Sequence, residues 1–167
     1  MQPIYTQTVG AGGAANITFN NIPQTFTDLK IVISVRSSTN ADPSFYWYYP
    51  TITSSVYSLT TLNGNGSSAS SGRQSGLGFH RLDGGVDGTS ETASTFANLE
   101  IYIPNYASSN FKSSIIDSVS ENNATAADQR LAAALCASTT AITSFYCSVD
   151  GTIAQYSTVT IYGITKG

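Results

Sequence analysis

The chain has 167 residues, of which 41% are hydrophobic and only 10% charged, with a net charge of −3. It is long enough to bury a core as one domain, expected over residues 1–167. The shortfall from the roughly 25% charge usual in soluble domains is filled by 24 Ser, 21 Thr, 14 Gly and 11 Asn. Seven scattered Lys and Arg leave no basic footprint for nucleic acid, and no run approaches the roughly 18–20 apolar residues of a membrane span.

The first residues, MQPIYTQTVGAGG, have neither the basic nor the apolar region of a secretory signal, which predicts a cytosol-made product that works without cleavage. Asn-x-Ser/Thr triplets at Asn16, Asn65 and Asn123 are expected by chance at this Ser and Thr content.

Taken in order, the pattern predicts strands and almost no helix. Residues 4–9 form a first strand, followed by the flexible GAGGAA and by NITFN at 16–20, where Ile17 and Phe19 share a face. LKIVISVR at 29–36 is β-branched and apolar on both faces at its centre, as a central buried strand should be. FYWYYPTI at 45–52 is aromatic, but Pro50 removes a ladder donor and demotes its end. Residues 60–76, TTLNGNGSSASSGRQSG, are too polar and glycine-rich for an interior element and predict a long connection, functional or mobile.

LGFHRL at 77–82 and ANLEIYI at 97–103 follow, the latter with Leu99, Ile101 and Ile103 inward and Glu100 and Tyr102 outward. Strands are then expected at 112–119, 131–137, 142–149 and 157–164, with Val159 and Ile161 on one face of the last. Residues 124–134, ATAADQRLAAA, carry the one block of helix formers, suited to a short helical turn or to a strand with small inward residues. In IYIPNYASSNFKS at 101–113, Pro104 stops the ladder, and Asn105, Tyr106 and the serines are expected to form a β-arch and a contact loop. Eight to ten short strands without crossover helices predict an all-β fold, an antiparallel two-sheet β-sandwich of jelly-roll type with at most one short helix.

The stock of reactive groups is thin. The single histidine, His80, sits in a strand pattern between Phe79 and Arg81 and reads as structural, since no G-x-S-x-G elbow accompanies it. Asp83 and Asp87 with Glu91 offer oxygens for an ion, yet their spacing is not that of a calcium loop, and Asp-Gly pairs are ordinary turn chemistry. One His and two separated Cys provide no transition-metal cluster, and the glycine stretches lack a phosphate-binding lysine. No cofactor and no catalytic residue is expected.

Cys136 and Cys147 could face each other if the chain forms a hairpin around 139–143, provided their Cα atoms come within about 7 Å. Two buried free thiols are the preferred reading. Binding residues are more in evidence: of ten Tyr, seven Phe and one Trp, five stand together at 45–49. Alternation sends Phe45, Trp47 and Tyr49 to one face and Tyr46 and Tyr48 to the other, so one set can fill the core while the other meets a partner. Tyr46, Trp47, Tyr48, Tyr49, Asn105 and Tyr106 are the candidate interface residues.

NNIPQTFTDLKIVISVRSS, LEIYIPNYASSNFKSSIIDSVSENNAT and AQYSTVTIYGI resemble recurring segments of tailed-bacteriophage virion proteins, of the kind carried by phages of cyanobacteria and other aquatic bacteria. In that group such modules end tail-fibre-like proteins or stand alone as small surface proteins of the head. The resemblance runs from about Ile17 to Ile164 and implies no catalytic residue.

It implies a capsid decoration or cement protein, assembled into the virion in the host cytoplasm. Its partners would be the major capsid protein and further copies of itself, a trimer by preference. As a chain of 167 residues opening at Met1, it leaves no room for a fibre shaft. The alternative is a receptor-binding fibre tip that recognises a host surface glycan. An enzyme such as a glycan depolymerase is disfavoured.

Overall fold

Twelve strands and no helix make up the described residues of the computed structural model, which are 1–39, 42–121 and 126–166. The Asn123 triplet and the start of the 124–134 block lie outside them. The strands are β1 (Gln2–Thr8), β2 (Ile17–Phe19), β3 (Asp28–Val35), β4 (Phe45–Tyr48), β5 (Tyr57–Gly64) and β6 (Ala69–Leu77). There follow β7 (His80–Leu82), β8 (Ala97–Ile103), β9 (Lys112–Glu121), β10 (Ala127–Cys136), β11 (Phe145–Val149) and β12 (Thr158–Ile164). An eight-stranded sheet runs β1-β12-β3-β8-β9-β10-β5-β6 and a four-stranded sheet runs β2-β11-β4-β7. Every strand pairing in both sheets is antiparallel.

The order contains a jelly roll. Without β5, β6, β9 and β10 the sheets become β1-β12-β3-β8 and β2-β11-β4-β7. Each step of that reduced chain crosses between sheets except β4 to β7, which are neighbours, and this is the double Greek-key wrapping. The hairpins β5–β6 and β9–β10 are insertions that add four strands beyond β8 on one sheet alone.

The core follows from period-2 alternation. Leu29, Ile31, Ile33 and Val35 of β3 and Leu99, Ile101 and Ile103 of β8 point inward and are fully buried. They meet Ile17, Phe45, Trp47, Phe145 and Cys147 from the smaller sheet in one cluster. β3 lies between β12 and β8 and thus takes the central place expected of it. In β10 the inward positions are Ala132, Ala134 and Cys136, so the 127–136 segment is a strand with small inward residues. Such positions let the sheet pack closely where Ile116 fills the gap from β9.

Four expectations are corrected. Residues 60–76 form most of the β5–β6 hairpin. Its turn is built by Asn65, whose Oδ1 accepts the backbone N–H of Ser67 at 3.0 Å and of Ser68 at 2.8 Å, with Gly66 at φ 83°. Residues 77–82 are split, because Leu77 ends β6 in one sheet while His80 starts β7 in the other. The 104–111 connection joins β8 to β9 in the same sheet, so it is a hairpin loop and not an arch between sheets. Finally, β10 and β11 lie in different sheets, so no hairpin forms around 139–143 and Cys136 does not oppose Cys147. Both are free buried thiols, and burial pushes the Cys147 thiol up to about 12.

Candidate functional site

The aromatic strand β4 divides as its alternation dictates. Phe45, Trp47 and Tyr49 are fully buried. Trp47 and Tyr49 are therefore core residues and not interface residues, because the smaller sheet turns their face into the cluster shared with the larger one. Tyr46 and Tyr48 are half-buried on the outer side, but each has a partner within the chain. The Tyr46 hydroxyl donates to Asp150 Oδ1 at 2.8 Å, with Phe79 edge-on at 5.6 Å and the Arg81 guanidinium 6.0 Å from its ring centre. Tyr48 packs on Tyr146 at 4.6 Å.

Asp150 also accepts the Ser44 N–H at 2.9 Å. Burial alone would raise its pKa, but these two donors outweigh it and hold the carboxyl below the ordinary value.

His80 pairs with Trp47 across β4 and β7 and sits in an aromatic box. Trp47 stacks on it at 4.8 Å, Tyr57 meets it edge-on at 4.9 Å and Tyr49 lies at 6.3 Å. Neither ring nitrogen has a hydrogen-bond partner among the described residues. Burial depresses its pKa to about 3; the Ser58 backbone opposes the shift without meeting hydrogen-bond geometry. A neutral ring walled in by aromatics has no path to a substrate. His80 is a core residue.

The end loop is held from below by a residue that sequence reasoning passed over. Asp28, buried at the start of β3, accepts the Asn105 N–H at 2.9 Å, the Tyr102 hydroxyl at 2.5 Å and an ion pair from Lys166 at 3.1 Å. Burial works against the charge, but those partners leave its pKa below the ordinary value. Asn105 is exposed at φ 49°, a left-handed turn position that Asn tolerates.

Tyr106 corrects its expectation. It is fully buried, its hydroxyl donates to the Pro23 carbonyl, and its own carbonyl accepts the Ile142 N–H at 3.0 Å. Lys112 is buried as well, and its Nζ donates to the carbonyls of Ser108 at 2.8 Å and Asn110 at 2.5 Å. These bonds close the loop that begins at Pro104, while desolvation lowers the lysine's pKa.

The acids of the LDGGVDGTSE segment are bound to protein donors. Asp83 pairs with Arg81 Nε at 2.5 Å and accepts Gln74 Nε2 at 2.8 Å; Asp87 accepts the Glu121 N–H at 2.9 Å; Glu91 accepts the Gly88 N–H at 2.5 Å. Among the described residues no group of three His, Cys, Asp or Glu could hold a metal ion.

The inserted hairpins carry two open surfaces. The first is apolar and lies on the outer face of β5, β10 and β9. Leu62 stands directly opposite Leu131. Leu131 opposes Asp117, which places Ile115 and Val119 on its two diagonals, and Ile115 is diagonal to Leu135. Cross-strand and diagonal neighbours on one sheet face are within reach of long side chains, so these residues form one stripe. Ile115 is 67% exposed, Leu62 54% and Leu131 44%.

The second surface is polar and lies on the inner face of the same hairpins, where the four-stranded sheet no longer covers them. Two adjoining cavities of about 220 and 200 Å³ share Asn63 and Asp83 as lining residues. Their walls also carry Ser70, Gln74, Asp128 and Arg130.

No family model, no curated protein and no solved structure matches the chain.

Proposed function

We propose that the chain is a non-catalytic surface protein of a tailed-bacteriophage virion. In this reading it is a decoration or cement protein that docks on the outside of the head and stabilises it by non-covalent contacts. The observation that carries the reading is the exposed stripe of Leu62, Ile115, Val119, Leu131 and Leu135. Contiguous apolar surface on a chain with so few charges favours burial against another protein. The segments shared in texture with phage virion proteins name the partner, the major capsid protein, with further copies of this chain beside it. The protein then belongs to the virion assembled in the host cytoplasm.

The surrounding residues suit a docking face that stays soluble before assembly. Asp117 sits inside the stripe, and opposite it on β8 stands Glu100, which forms an ion pair with Lys30 of β3 at 2.8 Å. His80 and both thiols are buried, and Asp83, Asp87 and Glu91 are bonded to protein donors, which favours a role in contact over one in chemistry.

Ile115→Lys with Leu131→Lys tests the reading. Lysine at 131 faces Asp117 across the ladder, so the exposed substitutions should change stability by less than about 1 kcal/mol. Co-sedimentation with phage heads lacking this protein should fall at least about tenfold, a loss of roughly 1.4 kcal/mol or more. Unchanged co-sedimentation of the folded double variant would remove this face as the docking surface.

A further inference from the structure

We propose that the polar cleft on the inner side of the β5–β6 hairpin is a binding site for an uncharged saccharide, recognised through its hydroxyl groups. The inference is independent of the docking face, which lies on the opposite side of the same strands.

Three acceptor oxygens converge on this end of the sandwich from three strands. They are Asn63 Oδ1 of β5, Gln74 Oε1 of β6 and Asp128 Oδ1 of β10, each shielded from water and without a hydrogen-bond donor among the described residues. Buried acceptors are normally satisfied, so three together mark a place where donors are supplied from outside. All three belong to part-buried side chains that line the two joined cavities. The terminal torsions of Asn and Asp are soft, so Asn63 and Asp128 can turn their oxygens toward the cleft, while the bond from Gln74 to Asp83 at 2.8 Å holds the third in place.

The donor side is present too. Arg130 lines the cleft and is fixed by its Nη1 bond to Ser120 Oγ at 2.9 Å. It packs over Gly84, where a Cβ would stand 2.7 Å from Nη2 and where φ is +60°. The Asp-Gly-Gly turn thus has a use beyond turning, since it delivers Asp83 to the wall and leaves room for the guanidinium.

The charge pattern selects the ligand class. A hard cation would need free carboxylates, but Asp83 already holds Arg81 and Gln74, and Asp128 shares its cavity with Arg130. An anion would meet the carboxylates of Asp83 and Asp128. A sugar hydroxyl donates and accepts at once, which matches amide and carboxylate oxygens set beside a guanidinium. Joined, the cavities reach the lower part of the roughly 300–1,000 Å³ range of small-ligand sites. No aromatic ring lines either cavity, so the affinity should be weak, with Kd on the order of 1 mM.

The test is NMR titration of the full ¹⁵N-labelled chain with glucose, galactose, mannose, N-acetylglucosamine and lactose. The expected result is a saturable shift of the Asn63, Gln74 and Asp128 amides by at least one of them. Asn63→Ala and Asp128→Ala should each weaken that binding at least tenfold. Ile115→Lys should leave it unchanged. Three results would overturn the proposal: no saturable shift up to ~50 mM sugar, shifts confined to residues away from the cleft, or the same residues responding to Ca²⁺ and not to sugar. If an alanine variant fails to fold, Gln74→Glu provides the second reading, because it keeps the oxygen and replaces the donor that now holds Asp83.

Discussion

Trp47→Ala should lower the unfolding free energy by about 3–5 kcal/mol, the range for emptying a fully buried aromatic site. Trp47 is fully buried and touches Phe45 at 5.8 Å and His80 at 4.8 Å between ring centres. Truncation opens a cavity at the middle of the smaller sheet, where β4 is braced on both sides by β11 and β7 and cannot collapse inward. For a chain of this size the loss corresponds to a drop in Tm of about 6–20 °C. Tyr46→Ala, one residue away on the outer face, should cost only about 1 kcal/mol, chiefly the hydrogen bond to Asp150. Thermal unfolding of the two variants side by side checks the alternation directly. Similar losses in both would mean that β4 does not present its odd-numbered residues to the core.

The second large effect is on pH. His80 is the single histidine of the chain, and burial lowers its folded pKa from 6.5 to about 3. Between these values the unfolded chain binds a proton that the folded chain does not, so stability falls as pH falls. The contribution is fully present above the unfolded pKa and is lost at about 1.4 kcal/mol per pH unit below it. From pH 7.5 to 4.5 the protein should lose roughly 2–3 kcal/mol. Asp28 and Asp150 do not confuse this window. Both have folded pKa values below 3.8, so their contributions persist above that value and are lost only as pH drops through the folded ones.

His80→Leu should flatten the upper slope while keeping stability at pH 7.5 within about 1.5 kcal/mol of the parent, since it removes two unpaired nitrogens at similar volume. Urea unfolding at pH 7.5, 6 and 4.5 measures both quantities. A slope that survives the substitution would have to come from other groups.

Much of the fold was legible because its evidence is local. Leu99, Ile101 and Ile103 alternate with Glu100 and Tyr102, and the alternation alone assigns inward and outward faces. The same holds for Phe45, Trp47 and Tyr49, although deciding which aromatic face was buried required the second sheet. The β5–β6 hairpin escaped because its second strand is polar on both sides: Ala69–Leu77 has not one fully buried residue. The sign that could have found it is the Asn65-Gly66 pair, a hairpin-turn signal. Tyr106 looked like a loop aromatic because its partner, the Pro23 carbonyl, is far away in the chain. Asp28 was invisible for the same reason, since its three partners come from residues 102, 105 and 166.

The two open surfaces were the least legible. Leu62, Ile115 and Leu131 look like ordinary strand residues until the register sets them side by side. Asn63, Gln74 and Asp128 meet only because two insertions extend one sheet beyond the other. An unextended jelly roll of eight strands would have neither surface, so the features that carry the functional reading lie on what was added to the fold.

The most direct test of that reading is a cryo-electron microscopy map of the virion that contains this protein. The account predicts density for the sandwich on the outside of the head, with the outer face of β5, β10 and β9 and the side chains of Leu62, Ile115 and Leu131 against the shell. A map that places the protein at a fibre tip, or that leaves this face in solvent, would contradict it.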